Sequence, residues 1–225
     1  MAAKIDKKEL EEPDKLQLFF LSVREFAEKN RIAIYTAAGI FILLILLAGG
    51  WYLYQLNYET SAARAYARVL ESAMKAGSPA GDSAAIKGYK DLIDQYPRSE
   101  AAVTAHYKLG SIYLSRHEID NAINAYQEFL KKAPSDSDLV TLAHSGLGSC
   151  YEIKKDFKHA LEEYDNAMKT STGASFEAMN YGSIARTYEA MSNSAKAVEF
   201  YRKALGKTTD PLMTLYLKRK ISILE

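Results

Sequence analysis

The hydrophobic positions of this 225-residue chain form one continuous run near the N-terminus and evenly spaced short stripes after it. Residues 32–54 read IAIYTAAGIFILLILLAGGWYLY and carry no charge. At ~1.5 Å per residue, such a helix extends roughly 34 Å, more than the about 30 Å of a bilayer's hydrocarbon core. The run predicts a transmembrane helix over 31–55, anchored by Ile40, Phe41, Ile42, Leu43, Leu44, Ile45, Leu46, Leu47 and the interfacial Trp51.

The run is longer than the apolar part of a secretory signal peptide and starts after 31 residues, so we expect the mature protein to keep it. Arg24, Lys29 and Arg31 precede it, whereas Arg64 and Arg68 follow at a greater distance. This bias favours a cytoplasmic N-terminus and an extracytoplasmic C-terminal part. Because the run has no charged residue, we expect a tether and no ion pathway.

The stretch before the run divides into two parts. Residues 1–13 are mostly charged and predict a disordered cytoplasmic tail. Residues 14–30 place apolar side chains three to four positions apart, which predicts an amphipathic juxtamembrane helix with Leu16, Phe19, Phe20, Val23, Phe26 and Ala27 on one face. Two interpretations stay open: the helix rests on the cytoplasmic leaflet, or its phenylalanines dock onto a membrane partner.

The remaining stripes repeat. An alanine is followed four residues later by a tyrosine at Ala85/Tyr89, Ala122/Tyr126, Ala160/Tyr164 and Ala197/Tyr201, with the tyrosines 37, 38 and 37 residues apart. Upstream lies a second pattern: Leu109-Gly110 with Tyr113, Leu147-Gly148 with Tyr151, and Ile184-Ala185 with Tyr188. The period predicts two antiparallel helices per unit, stacked into a right-handed solenoid that shares one core.

These motifs, with Pro97 and Pro134 at the ends of units, resemble the tetratricopeptide repeat. The resemblance implies an all-α fold: a single transmembrane helix, then a repeat domain over 56–225 of about four helix pairs. The first unit is the weakest, because Ala73 and Ala76 replace Gly and Tyr, and its first helix could continue from the span. After Asp210-Pro211, a final helix is expected to cap the stack.

The whole arrangement, including the segment DPLMTLYLKRKISIL, is similar to the YfgM-type ancillary subunits of the bacterial SecYEG translocon. The resemblance implies an inner-membrane protein whose periplasmic repeat domain works beside the translocon and periplasmic chaperones on emerging polypeptides. The alternative is a structural scaffold for another envelope complex, in division, export or cytochrome assembly. A net charge of +1 argues against nucleic acid as a partner.

No catalytic motif is present, so we expect no enzyme, no cofactor and no metal site. The single cysteine, Cys150, cannot form an internal disulfide and is read as a small packing residue. His106 and His144 occupy equivalent positions three residues before Leu109 and Leu147, and are interpreted as core histidines.

Function is then expected on a surface. In tetratricopeptide-like architecture the first helices line a concave groove, and this groove is the candidate peptide site. Hydrophobic contact with an extended or helical peptide is expected there, unless the groove is merely solvated. The residues assigned to it are Thr104, Tyr107, Ser111, Leu114, Ser115, Leu142, Ser145, Ser149, Glu152, Ile153, Met179, Gly182, Arg186 and Glu189.

Overall fold

A computed structural model describes residues 15–76, 80–135, 138–170 and 173–225. Within these ranges the chain forms ten helices and no strand, divided between two compact units, residues 1–57 and 58–225. The helices are α1 (Lys15–Lys29), α2 (Arg31–Ala76), α3 (Ala80–Gln95), α4 (Glu100–Ser115), α5 (Ile119–Lys132), α6 (Asp138–Ile153), α7 (Phe157–Thr170), α8 (Ala174–Ala190), α9 (Ser194–Leu205) and α10 (Pro211–Leu224).

The N-terminal compact unit, residues 1–57, contains α1 and the apolar part of α2. The apolar side chains of α1, including Phe19, Phe20 and Phe26, are exposed. Among the described helices, α2 alone is long and apolar enough to cross a membrane, judged by length and composition, and none of its most apolar window, of mean hydropathy 2.5, is buried. The expected amphipathic helix is present as α1, whereas the expected tail, 1–13, lies outside the described residues.

The C-terminal compact unit, residues 58–225, is a stack of helix pairs. The last part of α2, from Tyr58, packs on α3, with the ring centroids of Tyr66 and Tyr89 5.5 Å apart. The following pairs are α4 with α5, α6 with α7, and α8 with α9. First helices also contact each other, α4 with α6 and α6 with α8. The expected all-α repeat stack is therefore confirmed. The boundary expected at 55/56 falls inside α2, whose helix continues without a break to Ala76.

The repeated alanines and tyrosines form the core. Ala85, Ala122, Ala160 and Ala197 are at most 4 % exposed, and the four repeat tyrosines are buried as well. Close packing onto the tyrosine ring explains the small residues. A Cβ on Gly110 would lie 2.7 Å from Cδ1 of Tyr126, and one on Gly146, in the next unit, 2.6 Å from Cζ of the same ring.

The turn between the helices of a pair is the same in three units. His117, Lys155 and Ser192, 38 and 37 residues apart, all adopt a left-handed backbone, with φ of 58°, 59° and 61°. In each turn the next amide donates back to a carbonyl of the preceding helix, as Glu118 N does to Tyr113 O at 2.8 Å. This bond and the left-handed residue are those of a Schellman helix end.

Helix α10 closes the last pair on one side only. Asp210 caps its N-terminus by accepting a hydrogen bond from Leu212 N at 2.9 Å, and Pro211 takes the first turn. Leu217 is fully buried in a cluster with Ala185 and Tyr201. The expected capping helix is therefore present, and its opposite face exposes apolar side chains.

Candidate peptide-binding surface

The residues assigned to the groove lie on three successive first helices, α4, α6 and α8. Four of them are exposed: Ser111, Ser115, Ile153 and Arg186. Others are half-buried between neighbouring helices: Thr104, Leu114, Leu142, Ser149, Glu152, Met179 and Glu189. The exposed and half-buried residues together define the first-helix surface, a term used below for this set.

Three assigned residues face the packing. The ring centroid of Tyr107 lies 5.9 Å from that of Tyr126 and 5.6 Å from that of Phe129, and burial raises the pKa of its hydroxyl. Ser145 Oγ lies 2.6 Å from Oδ1 of Asn180 and so joins α6 to α8. Gly182 is buried. These three residues fill contacts between helices and are left out of the first-helix surface.

Glu152 is the centre of a polar network between two units. Arg186, on the next first helix, donates from Nε to Oε1 at 2.8 Å and from Nη2 to Oε2 at 3.0 Å. The hydroxyl of Tyr164 donates to Oε2 at 3.0 Å. The hydrogen bonds to Glu152 raise the pKa of Arg186, and the guanidinium is thus committed to a partner within the chain.

Glu189 repeats this arrangement one unit later. Tyr201 donates its hydroxyl to Oε2 at 2.8 Å, and Lys220 Nζ lies 2.7 Å from Oε1 and 3.0 Å from Oε2. Burial favours a higher pKa for Glu189, but the hydrogen bonds from Lys220 and Tyr201 outweigh it and lower the pKa. In the second repeat, formed by α4 and α5, Leu114 lies at the position that Glu152 and Glu189 have in the next two repeats. Tyr126 is hydrogen-bonded to Ser111 instead. Most charge on the first-helix surface is consequently neutralised between units.

Two clefts open beside this surface. One, of about 450 Å³, lies between α2 and α4 and is lined by Glu59, Thr60, Ala63, Tyr66, Glu100, Ala101 and Thr104. Another, of about 370 Å³, lies between α8 and the start of α10 and is lined by Ser175, Ala178, Met179, Thr208, Thr209, Asp210 and Met213. Each contains one assigned residue, Thr104 or Met179, and otherwise consists of residues that the repeat pattern did not mark.

His106 and His144, the two equivalent histidines of successive first helices, each lie beside a polar side chain. His106 is half-buried, which lowers its pKa, and its Nε2 lies 3.2 Å from Lys132 Nζ. His144 is also half-buried, with Nδ1 2.7 Å from Glu163 Oε2. Both therefore lie at the interface of a helix pair with a polar neighbour, which corrects the expectation of core histidines. The described residues contain no group of three or more His, Cys, Asp or Glu side chains that could hold a metal.

A family profile described as tetratricopeptide repeat-like domain matches residues 24–224. The chain belongs to the tetratricopeptide repeat-like domain family. Two crystal structures titled as MamA are similar in fold. One has a TM-score of 0.57 at 20% identity, covering 72% of this chain and 81% of that one; the other has 0.54 at 22%, covering 64% and 77%.

A tetratricopeptide repeat protein from Parabacteroides merdae ATCC 43184 is also similar, with a TM-score of 0.57 at 13% identity over 72% of this chain and 60% of that chain. These likenesses establish the fold alone. No curated protein matches the chain. Domains of the tetratricopeptide type are generally protein-interaction modules, which directs attention to the first-helix surface.

Proposed function

We propose that this protein is a membrane-tethered adaptor that binds polypeptide segments on its first-helix surface. The observation that carries the proposal is the character of that surface. It exposes small and apolar side chains, such as those of Ser115 and Ile153, while Glu152 and Arg186 bind each other. Such a surface suits hydrophobic contact with a peptide more than a clamp for a terminal carboxylate.

The tether is the apolar run of α2. The family match begins at Arg24 and therefore includes this run together with the repeats. The charge bias favours a cytoplasmic N-terminus, and the repeat domain of the proposed adaptor would then lie in the periplasm of a bacterial inner membrane. The similarity of the whole arrangement to YfgM-type subunits suggests translocon subunits, secreted chains or periplasmic chaperones as partners. The proposed role requires no catalysis.

Crosslinking the full-length protein in native membranes tests the partners. We expect translocon subunits, secretory chains or chaperones among its neighbours. Recovery of division, export or cytochrome-assembly proteins without any of these would replace the adaptor with a scaffold. Protease mapping of the C-terminus tests the orientation: a C-terminus digested only after the outer membrane is opened supports a periplasmic domain, and one that stays protected excludes it.

A pair of substitutions tests the surface itself. Ser115→Glu and Ile153→Glu place carboxylates on two successive first helices, and both positions are exposed, so the fold has room for them. We expect this variant to lose partner recovery. The matched control carries Asn124→Glu and Gln127→Glu, two exposed positions on the second helix α5, and should retain the partners. Equal recovery from both variants would move binding off the first-helix surface.

A further inference from the structure

The exposed face of α10 is a second apolar surface, separate from the first-helix surface. Leu212, Leu215, Tyr216 and Ile223 are 78 %, 68 %, 43 % and 66 % exposed. Their spacing places them on one side of the helix, and Arg219 lies in the middle of the same stripe. We call these five residues the α10 stripe. A terminal helix of a repeat stack normally turns a polar face to solvent.

Helix α10 occupies the place of a first helix in a fifth unit. Lys220 binds Glu189 as Arg186 binds Glu152, each cation reaching back to the preceding first helix. Three residues before Lys220, Leu217 packs in the cluster of Tyr201, as Gly146 packs against Tyr126 two units earlier. Two independent contacts therefore give the same register for α10.

That register identifies the uncovered face. Ala185 directly precedes Arg186 and belongs to a cluster with Ala197 and Ala204 of α9, the second helix of its own pair. Arg219 directly precedes Lys220, so it holds the position that meets a second helix in the complete units. No described helix covers it. The α10 stripe is thus the face on which a second helix would pack.

The charges on this face indicate the chemistry of its occupant. Among the described residues no carboxylate lies within ion-pair distance of Lys218 or Arg219, both of which are exposed, whereas Lys220 is already bound. A second copy that used its own α10 stripe would bring the same two cations against this face. Helices that lie on a lipid surface carry their cations on the polar face, whereas Arg219 lies in the centre of the apolar stripe. A helix that carries carboxylates beside an apolar face satisfies both the cations and the leucines.

We propose that the α10 stripe binds an amphipathic helix of a partner protein, with acidic side chains flanking its apolar face, in the position of a missing second helix. The partner would complete a fifth pair in trans. This interaction does not use the first-helix surface and can be tested without it.

The probes are two labelled, stapled peptides based on residues 119–132, the sequence of α5, which is a second helix of this same stack. The acidic probe carries Lys131→Glu and Lys132→Glu, and the basic probe carries Asp120→Lys and Glu128→Lys. Fluorescence anisotropy with the full-length protein in a neutral detergent measures their affinities. We expect the acidic probe to bind at least tenfold more tightly than the basic one.

Variants of the full chain then locate the site. Arg219→Glu should weaken the acidic probe at least tenfold and strengthen the basic probe, an exchange of preference that a loss of folding cannot produce. Leu215→Ala should weaken both probes, whereas Met74→Ala, at an exposed position on α2, should leave both affinities unchanged. Equal affinity of the two probes, or no effect of Arg219→Glu, would overturn the proposal. A photocrosslinker at position 223 that joins two copies of the chain or labels lipid in native membranes would overturn it as well.

Discussion

Gly148 is the position at which one added methyl group gives the sharpest test of the packing. A Cβ there would lie 2.5 Å from Cε1, 2.7 Å from Cδ1 and 2.8 Å from Cζ of Tyr164, where ordinary contacts are 3.4–4 Å. The ring has little freedom to move, because Tyr164 is fully buried and its hydroxyl is held by Glu152 at 3.0 Å and Ser149 at 3.1 Å. Gly148→Ala therefore forces the two helices of the third pair apart.

The expected change in the free energy of unfolding combines two opposing contributions. Overpacking of a filled core costs about 1–3 kcal/mol, and replacing a helical glycine by alanine returns up to about 1 kcal/mol. Gly206→Ala is the matched control. Its nearest neighbours would be 3.6 Å and 3.7 Å from the new Cβ, and Gly206 has an ordinary right-handed backbone. Gly206 is the C-cap residue of α9, so only Gly148→Ala also gains helix propensity, and we expect Gly148→Ala to be less stable than Gly206→Ala by about 1–2 kcal/mol.

Cys150 supplies the assay. It is the only cysteine of the chain and is fully buried, so its reaction with a thiol reagent reports opening of the third pair. The urea midpoint of thiol exposure should fall for Gly148→Ala and stay level or rise for Gly206→Ala. The added methyl group lies close to Cys150 and can change the reactivity of the thiol directly. Far-UV circular dichroism therefore provides a second readout of unfolding that does not depend on the thiol. Equal midpoints for the two variants would refute the assignment of Gly148 as a contact glycine.

Three further outcomes are expected. Leu217→Ala removes a fully buried side chain and should lower the unfolding free energy by about 2–5 kcal/mol in urea titration; a loss comparable to that of an exposed position would contradict the packing of α10. Lys220 and Tyr201 lower the pKa of Glu189 below its ordinary 4.5, so the stability that wild type gains over Glu189→Gln should be full above that pH and decline as the pH falls further; a gain that persists in acid would contradict the network. Burial raises the pKa of Cys150 to about 12, so iodoacetamide should leave the native thiol unmodified at neutral pH, and rapid labelling would be inconsistent with its place in the core.

The sequence predicted the parts of the fold that depend on contacts within one period. Ala122 and Tyr126, or Gly148 and Tyr151, are close enough in sequence for spacing alone to assign them to a face, and the structure buries or half-buries each of them. The possibility that the first helix of the first repeat continues from the apolar run was also correct, since α2 contains the run and that helix.

Contacts between units were beyond that reasoning. Glu152 and Arg186 are 34 residues apart, and nothing in their spacing distinguishes a bonded pair from two solvated charges. Tyr107 was assigned to the surface because it lies on the face of the first helix away from the Gly and Tyr stripe, yet its ring packs on Tyr126. The cleft between α2 and α4 was missed because the first unit lacks the glycine and tyrosine that marked the others.

The three left-handed turns bear on how far this domain can be altered. A left-handed residue other than glycine costs roughly 1–2 kcal/mol, and His117, Lys155 and Ser192 each bear that cost at the same place in their unit. Because the turns belong to different units and share no side-chain contact with one another, their effects are largely independent. Replacing each of these three solvent-exposed residues with glycine, which adopts a left-handed backbone without that cost, should therefore stabilise the repeat domain. Such replacements can offset destabilising changes on its binding surfaces.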